Sequence, residues 1–432
     1  MPAVEHCNIV FCLLDSLSFE DFDSLDCAGD LPVLSELRKN SVAFTRCYTP
    51  SPQSSPARAS LFTGLDPSVH GLWINGVALP DKETTFAMRL LSAGYETYLA
   101  GRCQLAGVSR WTTEQTRANE YTQMDWAHGP LHRSRQNAYL NWLKEHASEH
   151  YSTLFESQAD PEITTLSLKQ RDALKNLPYE SSFNFWVGKC VTEWFKSTSP
   201  SKPFLAIAGF SVGDGLGTEP QSGGDGEGLC RKALMQADAA IGCIVEQLKA
   251  SDHADDTVLI VASARGNCDV AGTANQMKER SIKVPLLISY PGCDQKTIHT
   301  PVSTIDIAPT VLKLANVAPG SRMQGSCLPG VADAAEPAAS WTMTRLRAFA
   351  TSGERNWQMA FCADNMKLVV KHGDVPNGQE KMSLYNLATD PQEQINLALD
   401  QAFTSELEDI LDQMIDARCA LEDRTEPRTA DF

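Results

Sequence analysis

The chain has 432 residues, 42% of them hydrophobic and 21% charged, the composition of an ordinary globular protein with one large core. A formal net charge of −17 excludes a nucleic-acid backbone as partner, so any anionic ligand needs a local cluster of Arg or Lys. Thirteen cysteines, an odd number with no CxxC pair and no regular spacing, argue against a disulfide framework and for a reducing, cytoplasmic setting.

The first apolar run, NIVFCLL (Asn8 to Leu14), is too short to span a bilayer and stops abruptly at Asp15. It reads as a buried strand, not as a leader or membrane anchor. LPVLSELRKNSVAF then predicts a helix running into a second short strand, TTFAMRLLSAG a helix ending on Gly94, and YETYLAG a strand. Residues 108–185 are polar and helical in pattern and read as a variable insertion. PFLAIAGFS (203–211) is a strand, GTEPQSGGDGEG (217–228) a flexible loop by composition, and residues 229–251 a helix. TVLIVASA (257–264) and VPLLISYPG (284–292) are further strands. Cys12, Cys190, Cys243 and Cys362 fall in these elements, where a thiol acts as a small apolar group.

Short apolar strands alternating with helices predict an α/β fold, a mostly parallel sheet sandwiched by helices, over residues 1–349. From 350 to 432 the pattern changes to WQMAFCAD, MKLVVKHG and EKMSLYNL, a small antiparallel sheet, and then a closing helix. Leu407, Ile410, Leu411 and Met414 give that helix an apolar stripe. Ligands of parallel sheets gather at the carboxyl ends of the strands. That places the chemistry after Leu14 at Asp15, after Gly101 at Arg102, after Phe210 at Ser211 and after Ser263 at Ala264.

The stretch SSPARASLFTG, Ser54 to Gly64, resembles the signature of the sulfatase family of the alkaline-phosphatase superfamily, C/S-x-P-x-R followed by x-x-x-x-T-G. The lead-in LPVLSELRKNSVAFTRCYTPSPQ, the segment GYETYLAGRCQLAG, the helix and strand ending in VASARG, IKVPLLISYPG, STIDIAPTVLKLANV and MSLYNLATDPQEQINLA are similar to the family's other landmarks, in the family's order. The resemblance covers nearly the whole chain. It implies a defined site, in which a Cys or Ser matured to formylglycine attacks sulfur beside a divalent cation, usually calcium. Such a cation stabilises the deprotonated hydrate, and carboxylate oxygens are its natural ligands.

Carried over by position, Ser54 falls on the nucleophile, Arg58 on the signature arginine and Asp15 on the first metal aspartate. The other positions depart. Ser16 stands at the second metal aspartate, Arg102 at a lysine, Gln104 at a histidine, Ser211 at another common histidine, and Ala264 with Arg265 at an Asp-His or Asp-Asn pair. A further lysine position falls near Ala274, with Lys278 close by. Asp15 is the one clear surviving metal ligand, so no cofactor is expected, and calcium only if other residues rebuild its site.

Three readings stay open on these residues: a metal-dependent sulfatase, a diverged sulfate-, phosphate- or phosphonate-ester hydrolase using Ser54 or its formylglycine, and a non-catalytic binding protein. In the last, Arg58, Arg102 and Arg265 converge on a small anion, with Arg265 also pairing Asp15 in place of the cation and Ser211 contributing to the anion site. Asp214 could enter the site from the strand end at Ser211. A two-zinc serine phosphatase is disfavoured, because no His/Asp cluster accompanies Ser54. His70 reads as packing, and His128 and His132 as surface residues of the insertion. A small anionic ligand is the expected partner, with no nucleic acid and no membrane, and the sequence leaves the oligomeric state open.

Overall fold

Strand β1 (Asn8–Leu14) is buried along its whole length, as a strand covered on both faces must be. In the computed structural model the described residues are 7–106, 115–130, 132, 134–155, 173–174, 176–197, 202–212, 225–267, 277–332, 334–335, 341–349, 355–372 and 380–422. Successive β1 side chains point to opposite faces: Ile9, Phe11 and Leu13 join one apolar cluster, Val10, Cys12 and Leu14 the other. On the first face lie the helices Ser54–Thr63, Phe86–Ser92 and Ile307–Leu314. There Phe11 meets Phe62 and Phe86 edge-on, with ring centroids 6.4 and 5.9 Å away. The helices Phe19–Cys27, Pro32–Lys39, Phe183–Ser197 and Asp225–Lys249 cover the second face.

Strand β1 lies between β5 (Phe204–Gly209) and β6 (Thr257–Ser263) and runs parallel to both. Strands β3 (Glu96–Gly101) and β4 (Gln123–Trp126) extend the parallel ladder beyond β5. On the other side β7 (Lys283–Ser289) is antiparallel to β6 and to β2 (Val42–Tyr48). Strands β8 (Lys296–Ile298) and β9 (Val302–Ser303) pair with β2, and the main path runs β4-β3-β5-β1-β6-β7-β2-β8. Strands β1, β2, β3, β5 and β6 therefore all end at one edge, which is where the candidate residues follow.

A second, antiparallel sheet joins β10 (Trp341–Phe349), β11 (Arg355–Ala363), β12 (Met366–His372) and β13 (Met382–Asn386). The helix Thr404–Glu422 docks on it through Ile410, Met414, Ala417 and Leu421. Between the two sheets Lys367, fully buried, lies 3.0 Å from Glu279 Oε1 and 2.8 Å from Glu393 Oε1. Tyr48 donates to Glu279 Oε2 at 3.0 Å, and the Glu279 amide donates to Glu393 Oε2 at 2.9 Å.

The sandwiched, mostly parallel sheet and the appended antiparallel one agree with the sequence reading, and four details are corrected. The C-terminal sheet begins at Trp341, not at 350, because β10 pairs with β11 along its full length. The region 108–185 is not only a helical layer: its segment Gln123–Trp126 enters the main sheet as an edge strand. The helix expected from 229 begins at Asp225, within the stretch read as loop. Cys243 is exposed on that helix, whereas Cys12 and Cys362 are buried and Cys190 half-buried. Cys12, Cys47, Cys190, Cys243 and Cys362 are in no disulfide. Among the described residues no helix is long and apolar enough to cross a membrane.

Candidate functional site

Ser54 opens the buried helix Ser54–Thr63, which starts where the extended Gln53 ends. Pro56 is tolerated in its first turn, where no intrahelical amide is needed, and Asn75 Oδ1 accepts from the Ser55 amide at 2.9 Å. Gly64 closes the helix at φ 67°, a conformation that glycine adopts without strain. Arg58 lies one turn after Ser54 and so on the same helix face. It is completely buried.

The Arg58 guanidinium is fixed on three sides. Its Nη2 lies 3.0 Å from Asp15 Oδ1, and its Nη1 donates to the carbonyls of Arg102 at 3.2 Å and Cys103 at 2.9 Å. Arg102 Nη1 donates to the other Asp15 oxygen, Oδ2. Arg102 can take this place because the β3 and β5 ends approach closely. A Cβ on Gly101 would sit 2.3 Å from the Gly209 carbonyl, and Gly101 holds φ 89°. Asp15 is thus clamped between two guanidiniums with no exposure to solvent.

Arg265 follows β6 at the same edge. Its Nε donates to Ser54 Oγ at 2.6 Å and its Nη1 to the Gly266 carbonyl at 3.1 Å. Ser263 braces this turn, its Oγ donating to the Arg265 carbonyl at 2.7 Å while accepting from the Leu17 amide at 3.1 Å. Here the sequence expectation is corrected. Arg265 does not pair with Asp15; Arg58 and Arg102 do, since both already flank the β1 end, and Arg265 addresses Ser54 instead.

Ser211 lies at the β5 end, 2% exposed, with its amide and carbonyl both held by Asn184 at 3.0 Å. Ser16 and Gln104 follow the β1 and β3 ends, with left-handed φ of 62° and 66°. Such a φ is uncommon for a residue with a side chain and concentrates at functional sites. Ser16 Oγ and Gln104 Oε1 are buried and have no hydrogen-bond partner among the described residues.

Among the described residues, the groups at the strand ends do not fit a calcium site. Both Asp15 oxygens face guanidiniums, and Arg265 brings a third permanent cation beside Ser54 where the family's ligand pair stands. Among the described residues no three His, Cys, Asp or Glu side chains group as metal ligands would.

Lys278 is not at the site: its Nζ donates to the Glu393 carbonyl at 2.8 Å and sits 5.1 Å from the Tyr385 ring centroid. Asp214 and Ala274 lie outside the described residues. His70 is buried under the signature helix; it accepts from the Leu72 amide at Nδ1, leaving Nε2 to donate to Ser60 Oγ at 2.9 Å. Burial lowers its pKa to about 3, so it is neutral. His128 and His132 are not open surface residues. They are half-buried, with ring centroids 4.9 Å apart, just beyond Trp126 at the β4 end. Asn184 and Ser263, which hold the Ser211 and Arg265 turns, escaped the sequence reading. Asn184 gives no local signal, while Ser263, next to a strand end, could have been suspected.

The fold is that of the alkaline-phosphatase superfamily. Two solved phosphonate monoester hydrolases, from Agrobacterium radiobacter and Silicibacter pomeroyi, superpose with TM-scores of 0.72 and 0.73 at 18% identity. The match covers 96% of this chain and 96% of the first, 98% of this chain and 97% of the second. The family model for type I phosphodiesterase / nucleotide pyrophosphatase matches residues 9–283, and that for the N-sulphoglucosamine sulphohydrolase C-terminal region matches 274–420. The ulvan-active sulfatase of Formosa agariphila is 26% identical over 72% of this chain, and the choline-sulfatase of Rhizobium meliloti 25% over 72%. Those matches span 62% and 68% of the two relatives' own lengths. With these matches in hand, the chain belongs to the sulfatase family of the alkaline-phosphatase superfamily.

Proposed function

We propose that the strand ends hold a sulfate- or phosphate-type group by guanidiniums, and that the protein lacks conventional metal-dependent sulfatase activity. One observation carries this reading: Arg265 Nε lies 2.6 Å from Ser54 Oγ, while Asp15 is engaged by Arg58 and Arg102. Planar guanidinium forks match tetrahedral oxyanions, and the first turn of the signature helix adds a positive dipole end beside Ser54. Relatives named as sulfatases and phosphonate monoester hydrolases support the same ligand class.

Calorimetry with inorganic sulfate and phosphate tests it, with and without calcium and a chelator. The expected result is binding that calcium leaves unchanged and that Arg265→Ala weakens by about 10- to 100-fold, the scale of a charge-assisted hydrogen bond. Calcium-dependent binding, or binding indifferent to Arg265→Ala, overturns the reading.

A second reading, ester cleavage at Ser54, is favoured by the same Arg265 contact. A guanidinium beside a hydroxyl lowers the cost of its alkoxide, as a cation does beside a formylglycine hydrate. Peptide mass at Ser54 and turnover of aryl sulfate and phosphate esters decide it. Turnover that Ser54→Ala abolishes establishes this reading, and rates equal to that control remove it.

A further inference from the structure

The polar atoms left over at the strand ends carry one step more, which rests on the oxyanion reading above. Ser16 and Gln104 are 5% and 8% exposed, and their side-chain oxygens have no hydrogen-bond partner among the described residues. A buried acceptor without a donor is costly, and both residues also carry left-handed backbone. They flank the clamp: Ser16 follows Asp15, and Gln104 follows Cys103, whose carbonyl Arg58 holds. At the same edge Ser263 and Asn184 do find partners, in the Leu17 amide and the Ser211 amide.

Guanidiniums can only donate, and a hydroxyl can do either, but the Gln104 carbonyl oxygen can only accept. That difference sorts oxyanions by protonation. Sulfate is fully ionised throughout the working pH range and has nothing to donate. A phosphate- or phosphonate-type group keeps one P–OH until its second ionisation and can donate that proton. We propose that Gln104 Oε1 accepts the P–OH of a monoprotonated phosphate-monoester or phosphonate group, while the Ser16 hydroxyl is able to donate to one of its other oxygens. The pocket thereby selects that class over sulfate. Sulfate in the same place meets Gln104 oxygen against oxygen.

Calorimetry of the full chain with methylphosphonate, which loses its last P–OH at its second ionisation, and with sulfate tests this at about pH 5.5 and about pH 8.5. At the lower pH methylphosphonate binds about tenfold or more tightly than sulfate, and at the higher pH the preference shrinks to about threefold or less. Gln104→Met, similar in shape but lacking the acceptor, loses the acid-side preference through weaker methylphosphonate binding while sulfate stays within about twofold. Should that variant fail to fold, the pH dependence of the parent decides alone. Sulfate bound as tightly as methylphosphonate at the lower pH overturns the inference, as does a preference that survives in a folded Gln104→Met. Either result leaves the oxyanion pocket standing, whereas binding of neither anion at either pH strikes the pocket itself and this inference with it.

Discussion

Two of the buried charge clusters in this molecule are built in opposite ways. Between the sheets one ammonium, Lys367, meets two carboxylates, Glu279 and Glu393, with Tyr48 and the Glu279 amide also donating to them. At the strand ends two guanidiniums meet one carboxylate, a third guanidinium addresses Ser54, and the side-chain oxygens of Ser16 and Gln104 have no hydrogen-bond partner among the described residues. The first arrangement carries more negative than positive charge and serves as a joint between β12 and the helical turn at Glu279. The second, among the described residues, carries more positive than negative charge, and it is there that we place the oxyanion.

The sharpest way to break this contrast is to remove Lys367. Lys367→Met leaves two buried carboxylates facing each other and is expected to lower stability by about 3–5 kcal/mol in urea unfolding. Its affinity for phosphate stays within about twofold, because among the described residues no hydrogen bond or ion pair links the joint to Asp15, Arg58 or Ser54. A large affinity loss in a folded Lys367→Met makes the two clusters one system.

Asp15→Asn comes next. It takes the Asp15 carboxylate away from the buried Arg58 and Arg102 and is expected to cost about 3 kcal/mol. Unlike the joint variant, it gains more thermal stability from added phosphate than the parent does, since the anion meets less negative charge. If calcium restores it and phosphate does not, the strand ends are a metal site.

Acid sharpens the comparison from another side. His70 under the signature helix is held neutral by burial, its pKa lowered from 6.5 to about 3. Its contribution is intact above pH 6.5 and is lost as pH falls toward 3, because the unfolded chain takes up the proton first. The Lys367 ammonium is opposed by burial but raised overall by Glu279 and Glu393, so its contribution fades only in strong alkali. His70→Asn should flatten the acid limb by about 2–3 kcal/mol at about pH 4, measured by urea unfolding across pH.

How much of this was legible depends on the range over which each residue acts. Strand β1 could be read because six apolar residues, Ile9 to Leu14, stop dead at a carboxylate, which suits a buried strand ending at a site. Gly64 could be read because its role is local to one helix. The partner of Asp15 could not: Arg58 and Arg102 both reach it from other elements, and residue type alone cannot say which of three arginines wins. β4 was hidden because four residues carry too little periodicity to stand out from the polar segment around them. The orphaned oxygens of Ser16 and Gln104 are a property of the packed site, and no sequence pattern encodes them.

The smallest effect belongs to Lys278, which sits near the position where the family carries a site lysine. Its ammonium is drawn instead to the Glu393 carbonyl and the Tyr385 ring, on the joint's side of the divide. Lys278→Met keeps most of the aliphatic stem and removes one partly exposed hydrogen bond, so stability should fall by about 1 kcal/mol or less. Its affinity for phosphate and sulfate should match the parent's within about twofold. A tenfold loss in calorimetry means that this lysine swings into the strand ends when an anion arrives, and that the two charge clusters exchange a member on binding.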